Sequence, residues 1–261
     1  MARSALINVM VRAAMKAARK LARDFGEVEN LQVSQKGPAD FVTAADRKSE
    51  EIIRQELELA RPGYSFLMEE SGASEGSDPQ HRWIVDPLDG TTNFLHGIPL
   101  FSISIALERQ GILQAGVIYN PISDELFSAE RGAGAFLNDR RIRVSARTAI
   151  GESVIATGIP HRGRGNHGKF LKQLAGVMAV AAGLRRCGAA SLDLAWLAAG
   201  RFDGFWESGL AAWDIAAGAL ILREAGGFIT DGKGGEKILD AGTIVAGNAA
   251  IHRHLLGLIK G

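Results

Sequence analysis

The stretch "WIVDPLDGTTNFLHGIPLFSISIAL", Trp83 to Leu107, carries two strand signals joined by a segment rich in turn residues. Trp83-Ile84-Val85 reads as a short buried strand, which Pro87 is expected to stop by removing a ladder donor. Gly90-Thr91-Thr92 offers a tight turn and several backbone N–H groups. Phe101, Ile103, Ile105 and Leu107 then alternate with small or polar residues, the period of a strand with one face in a core. Asp86 and Asp89 sit on either side of the proline turn. Two hard oxygen ligands beside N–H donors suit a metal ion and a phosphate together. Asp-Pro-x-Asp-Gly is also ordinary turn chemistry, and on these residues alone the turn is the stronger reading.

Working outward, "ILQAGVIY", "ELFSAE" and "GAFLNDRRIRVS" continue as strands, separated by turn signals at Arg109-Gln110-Gly111, Asn120-Pro121 and Asn138-Asp139. This predicts an antiparallel meander. Upstream, a helix is expected from about Thr43–Asp46 until Arg61-Pro62-Gly63, then a short strand "SFLM", then a polar mobile loop "SGASEGSDPQHR". From about Ser153 the pattern changes to strand–helix alternation, including a helix from about Trp213 to Ala225 stopped by Gly226-Gly227. Strands in a run and then alternating with helices predict a layered α+β architecture. The expectation is a single unit over residues 1–261 with two continuous halves, about 1–150 and 151–261.

The chain has 261 residues, 46% apolar and 23% charged, enough to bury a large core. A formal charge of +1 gives no global field favouring nucleic acid or a membrane. The single Cys187 cannot form an internal disulfide, which suits a reducing cytoplasm. No apolar run is long enough to cross a bilayer. The first 25 residues are basic and amphipathic like a transit peptide, but Leu6, Met10, Ala14, Ala17, Leu21 and Phe25 make a helical stripe opposite Arg12, Lys16, Arg19 and Arg23. A first helix packed on the domain is the favoured reading.

"GRGNHGKF" contains Gly163-x-Gly165-x-x-Gly168 and Gly163-x-x-x-x-Gly168-Lys169, formal matches to a dinucleotide fingerprint and most of a P-loop. Phe170 stands where a P-loop needs Ser or Thr, and Pro160-His161-Arg162 separates the glycines from the preceding strand, so a flexible loop is expected. The six histidines form no zinc pattern, and His252 and His254 read as surface residues.

The remaining signal is acidic. Glu69-Glu70 ends one expected strand, Asp86 and Asp89 end the next, and Asp214 begins a helix. If the two strands are neighbours, three carboxylates converge at one sheet edge. Such a set, with no His or Cys, selects Mg²⁺, Mn²⁺ or Ca²⁺ over zinc, and Mg²⁺ in such sites commonly meets phosphate. "EESG", "WIVDPLDGTTNF" and "WDIAAGALILREAGG" together resemble the inositol monophosphatase family of lithium-sensitive, metal-dependent phosphatases, and the bacterial inositol-1-monophosphatase branch in particular. The likeness runs nearly end to end, through "KGPADFVTAAD" and "RRCGAASLDLAWLAAGRFDGFWE". It overturns the turn reading: Asp86 and Asp89 become metal ligands that use turn chemistry.

The resemblance implies an α/β/α/β/α sandwich, a homodimer, and hydrolysis of inositol 1-phosphate or a similar small polyol phosphate. It makes Glu69, Asp86, Asp89, Asp214 and the carbonyl of Leu88 ligands for two to three Mg²⁺, with Mn²⁺ as an alternative. Glu70 is the less favoured ligand of its pair. Asp46 and Thr91 would orient and activate a water held by metal, while Gly90 and Thr91 hold phosphate oxygens. Asp89, Gly188, Ala190, Glu207 and Asp214 would meet the substrate, and Lys36 would lie on an early loop that closes over the site. Fructose 1,6-bisphosphate and other small phosphates of the same superfamily are alternative substrates, with Arg185-Arg186 or "HRGRGNHGK" as sources of basic groups for a second phosphate. The bacterial branch also suggests an added binding role at the transcription machinery, with Arg185-Arg186 and the early basic helix as its candidate surface, although a structural pair of arginines on a short strand is the favoured reading.

Overall fold

The computed structural model describes residues 3–25, 33–37, 40–161 and 165–260, and for 33–37 and 40–43 it describes the backbone. Helix α1 (Ala5–Phe25) comes first, followed by a hairpin of β1 (Val33–Gly37) and β2 (Asp40–Thr43) that leads into α2 (Ala44–Ala60). An eight-stranded sheet follows: β3 (Tyr64–Met68), β4 (Gly72–Ser74), β5 (Asp78–Asp89), β6 (Ser102–Arg109), β7 (Ile112–Asn120), β8 (Glu125–Glu130), β9 (Gly134–Leu137) and β10 (Arg140–Ile142), with the short α3 (Thr91–Leu95) after β5. The order across the sheet is β10-β9-β8-β7-β6-β5-β3-β4, antiparallel except where β3 runs parallel to β5. A five-stranded sheet ordered β12-β11-β13-β15-β14 completes the chain. It comprises β11 (Val154–Thr157), β12 (Gly183–Arg185), β13 (Gly204–Ser208), β14 (Phe228–Asp231) and β15 (Thr243–Gly247). Between its strands lie α4 (His167–Met178), α5 (Ala190–Ala198), α6 (Ala212–Glu224) and α7 (Ile238–Ala241), and α8 (Ala249–Lys260) ends the fold.

Period-2 burial sorts these elements into five layers. On β5 and β6, Trp83, Val85, Ile103, Ile105 and Leu107 face one side, where they bury Met10, Ala14, Ala17 and Leu21 of α1 and Ile53 and Leu57 of α2. Ile84, Ala106, Ile118 and Phe127 face the other side, onto α5 and α6, which are covered from below by Ala156, Phe205, Ile244 and Ala246 of the second sheet. The outer face of that sheet presents Ile155, Trp206 and Val245 to α4 and α8. The result is the expected α/β/α/β/α sandwich. Each fully buried Leu, Ile or Met in these interfaces contributes about 2 kcal/mol.

The first helix packs as its stripe predicts. Its basic side also has a partner, because Arg12 and Lys16 both reach Glu56 of α2, at 3.1 and 2.6 Å. Among the described residues no helix is long and apolar enough to cross a membrane.

Four local expectations are corrected. Pro87 does not end its strand; β5 continues to Asp89 across a register shift between Asp86 and Asp89, and a bulge is where a sheet tolerates a residue without an N–H. The polar run after Ser71 is not a loop throughout, since it supplies β4 and the start of β5. Exposed edge strands carry Gly, Ser and charge, which conceals them from an apolar pattern. Lys36 lies not on a loop but in β1, at the irregular position of the hairpin, and its side chain is outside the described residues. His252 is half-buried rather than free at the surface, with Nε2 2.9 Å from Thr230 Oγ1. In "GRGNHGKF", Gly163 lies outside the described residues, whereas Asn166 caps α4 by accepting from the Lys169 N–H at 2.9 Å.

Candidate active site

The parallel pairing of β3 and β5 sets Met68 opposite Val85, so the residues that follow each strand emerge side by side. The Glu69 N–H donates to the Val85 carbonyl at 3.2 Å, and the Glu69 side chain is hydrogen-bonded to Asp86. The bulge then turns the chain. The Leu88 N–H donates to Asp86 Oδ1 at 2.9 Å, and Ser49 of α2 donates its hydroxyl to the Pro87 carbonyl at 2.8 Å. Gly90 has φ 95°, and a Cβ there would stand 2.9 Å from the Leu100 carbonyl oxygen. Only glycine fits both demands. The Thr91 hydroxyl lies 3.0 Å from Asp46 Oδ1 and 3.1 Å from the Leu88 carbonyl oxygen, with one proton to share between them.

The other two walls come from the second half of the chain. Asp214 stands in the first turn of α6 and accepts from the Ala211 N–H at 2.7 Å, which fixes the carboxylate at the helix start. Asp86, Asp89 and Asp214 thereby offer oxygens within 4.8 Å of one another. Asp89 also receives the start of α5: the Ser191 N–H donates at 2.8 Å and its hydroxyl at 2.5 Å, with the N–H groups of Ala190 and Leu192 beside them. Gly188 and Ala190 border the same cavity of about 160 Å³, as do Leu88, Gly90, Thr91 and Glu207. Glu207 lies over Gly158, where a Cβ would occupy the position of its carboxylate.

Burial and mutual repulsion dominate the electrostatics. Asp86 is raised well above the usual carboxylate value, first by burial and then by the charges of Glu69, Asp89 and Asp214. Asp89 is raised to about 6 by burial, against the opposing bonds from the α5 start. Glu207 is raised well above its usual value by burial and by Asp193, Asp214 and Asp89, with Arg186 opposing. A set of all-oxygen donors that repel one another in a buried cavity fits a hard dication, which would relieve that repulsion.

Every site residue expected from the sequence is thus in this cavity or bonded to its wall, except Lys36, whose side chain is undescribed. Arg186 was visible as a charge without a place; it lines the cavity beside Ile159 and His161, while Arg185 turns away to the Leu184 carbonyl at 2.8 Å. Asp193 was not foreseen. It is 1% exposed and pushed up to about 7, chiefly by burial. Its one signal is an aspartate within an otherwise apolar helix, "SLDLAWLAA". Asn93, also unforeseen, joins the two halves of the site by donating to the carbonyls of Leu100 and Cys187 at 2.7 and 2.8 Å. Asn93→Ala leaves two carbonyls unpaired and is expected to cost about 2–3 kcal/mol, read from the urea midpoint at unchanged slope.

The family model for the inositol monophosphatase family matches residues 2–260. The chain is 67% identical to a Mesorhizobium japonicum protein named inositol-1-monophosphatase, over 100% of this chain and 98% of the relative. It is 43% identical to a Pseudomonas aeruginosa protein named Nus factor SuhB, over 98% of this chain and 96% of the relative. A crystal structure described as extragenic suppressor protein suhB from Bartonella henselae superposes with a TM-score of 0.96 at 63% identity, covering 98% of this chain and 99% of that one. With the family model matched from end to end, a relative 67% identical over the whole chain and the fold shared with that crystal structure, the chain belongs to the inositol monophosphatase family.

Proposed function

We propose that this chain is a cytoplasmic, Mg²⁺-dependent phosphomonoesterase that hydrolyses inositol 1-phosphate to inositol and phosphate, working as a homodimer of single catalytic units and inhibited by lithium. The observation that carries the reading is the convergence of Glu69, Asp86, Asp89 and Asp214 beside the Thr91–Asp46 pair in one cavity. Glu69, Asp86, Asp89, Asp214 and the Leu88 carbonyl are the residues to hold two to three Mg²⁺. When bound, the metal supplies Lewis-acid stabilisation of phosphoryl charge and lowers the pKa of water.

The chain's own groups do the rest. Asp46 accepts the Thr91 proton, which leaves the Thr91 oxygen free to accept a proton from an attacking water and so to aim it. The N–H groups of Gly90 and Thr91 point phosphate oxygens toward that water. Glu207, Gly188 and Ala190 take the polyol hydroxyls on the far wall. Phosphoryl transfer by positioning and electrostatics needs no covalent nucleophile from the protein.

The test is phosphate release from inositol 1-phosphate and fructose 1,6-bisphosphate side by side, with Mg²⁺, with EDTA and with lithium. Preference for the inositol ester, lost in EDTA and inhibited by lithium, supports the reading. Preference for the bisphosphate moves the substrate, with Arg186 as the cavity's cation for a second phosphate. Similarity to a protein named Nus factor SuhB motivates a second reading, a binding role at the transcription machinery alongside catalysis. Retention of such a partner by Asp89→Asn in a pull-down tests it.

A pH prediction follows from Asp89. Its folded value of about 6 stands above the ordinary 3.8, so in metal-free protein the penalty is absent below the ordinary value and complete above the raised one. Metal-free stability should fall between those values by on the order of 3 kcal/mol. Added Mg²⁺ should therefore raise Tm more at pH 7.5 than at pH 5. A metal-induced shift that is flat with pH would contradict the assignment.

A further inference from the structure

A second cavity, of about 460 Å³, lies away from the carboxylates and is larger than theirs. That volume is ample for a small metabolite. Its walls come from separate parts of the chain: Arg82 on β5 and Glu108 on β6, the β6–β7 turn, Arg131 just past β8, Arg223 in the last turn of α6, and the segment 236–240. The turns, the sheet end and the helix end thus bring four cationic side chains, Arg82, Arg131, Arg223 and Lys237, to one concavity.

They are not equivalent. Arg82 is committed to the wall, with Nε and Nη2 2.9 and 2.7 Å from Glu108 Oε2. Among the described residues, Arg131 and Arg223 have no ion pair or side-chain hydrogen bond. Burial and the Arg131 charge hold Arg223 below the ordinary arginine value, with Glu236 opposing. Two guanidinium forks facing one concavity without a carboxylate bound to either match the geometry of phosphate oxygens. The acids on the rim, Glu236 and Asp240, would repel a second phosphate but accept hydroxyl protons. They therefore narrow the ligand.

We propose that this cavity is a second anion-binding site, for a small molecule that carries one phosphate and at least one hydroxyl. Arg131 and Arg223 hold the phosphate, and Glu236 and Asp240 take the hydroxyl. The site is separate from the catalytic one, since Arg223 and Asp214 lie at opposite ends of α6, about 14 Å apart along the helix axis.

The test uses the Mg²⁺-loaded full chain and 2-hydroxyethylphosphonate, whose C–P bond a phosphatase does not cut. Calorimetric titration should show two binding events per chain in the wild type and one in the Arg131→Gln/Arg223→Gln double variant, with inositol 1-phosphate turnover within about twofold of wild type. The Arg223→Lys variant, which keeps the charge and loses the fork, should weaken the second event about tenfold, and methylphosphonate should bind there more weakly than the hydroxylated probe. Asp89→Asn should retain the second event, so the outcome stands apart from that of the catalytic reading. A double variant that shows as many binding events as the wild type overturns the proposal.

Discussion

Asp89→Asn is expected to lower turnover by about a thousandfold or more while the protein remains folded. The substitution is close to isosteric, and its carbonyl oxygen can still accept the Ser191 N–H now 2.8 Å from Asp89 Oδ2, so the contact between the β5 bulge and the start of α5 survives. What disappears is one negative charge from a group in which Asp86, Asp89 and Asp214 offer oxygens within 4.8 Å. The amide would also turn a donor toward the remaining carboxylates. Two readouts separate this from unfolding. In metal-free protein at pH 7.5 the variant should melt higher than wild type, because it no longer carries the carboxylate charge whose burial raises Asp89 to about 6. Its response to Mg²⁺ should be small. Near-normal turnover with intact metal dependence would sink the site assignment.

How much of this was legible depended on whether a signal was local. The alternation Phe101, Ile103, Ile105, Leu107 announced β6 and its core face, and the structure keeps both. The opposite face was misleading by nature. Ser102 and Ser104 look like a solvent side, yet Ser102 lies 2.9 Å from the Ser191 hydroxyl and Ser104 donates to the Trp213 carbonyl at 3.2 Å. Small polar residues there let α5 and α6 sit close to the sheet, a purpose that period-2 patterning cannot express. Pro87 misled for a related reason, because a bulge is a property of the pair of strands and not of one.

At the site, hard-ligand chemistry alone identified an acidic group and a class of metal. Which carboxylates meet was decided by the parallel register of β3 on β5 and by α6, whose first turn lies over a hundred residues downstream; that set came from the family resemblance. Arg186 and Asp193 stayed out of reach because their environments are made by partners distant in sequence. Burial of Asp193 in an apolar helix follows from two sheets closing over α5, and nothing adjacent to it records that.

Gly116→Val should be strongly damaging although it touches no charged group. Gly116 sits in the middle of β7, opposite Ala106 on β6 and Ala129 on β8. A Cβ there would stand 2.9 Å from the carbonyl oxygen of Ala217 and 3.1 Å from its Cα. These are backbone atoms of α6, so no side chain can rotate away. The helix cannot yield easily either, since Ile215 to Leu222 are all buried between the sheets. The better strand propensity of valine returns up to about 1 kcal/mol, against about 3 kcal/mol or more for forcing a packed helix off its sheet. A net loss of about 2–3 kcal/mol is expected in urea melts. Ala217 lies one turn after Asp214, so displacing α6 also displaces that carboxylate. Turnover in the folded fraction should then fall by about a hundredfold, the scale of a 1 Å misplacement. Gly176→Ala, in α4 with nothing near its Cβ position, is the control and should be neutral or stabilise by up to about 1 kcal/mol. If Gly116→Val melted and turned over like Gly176→Ala, then α6 would not be the rigid bar that holds Asp214 against the sheet.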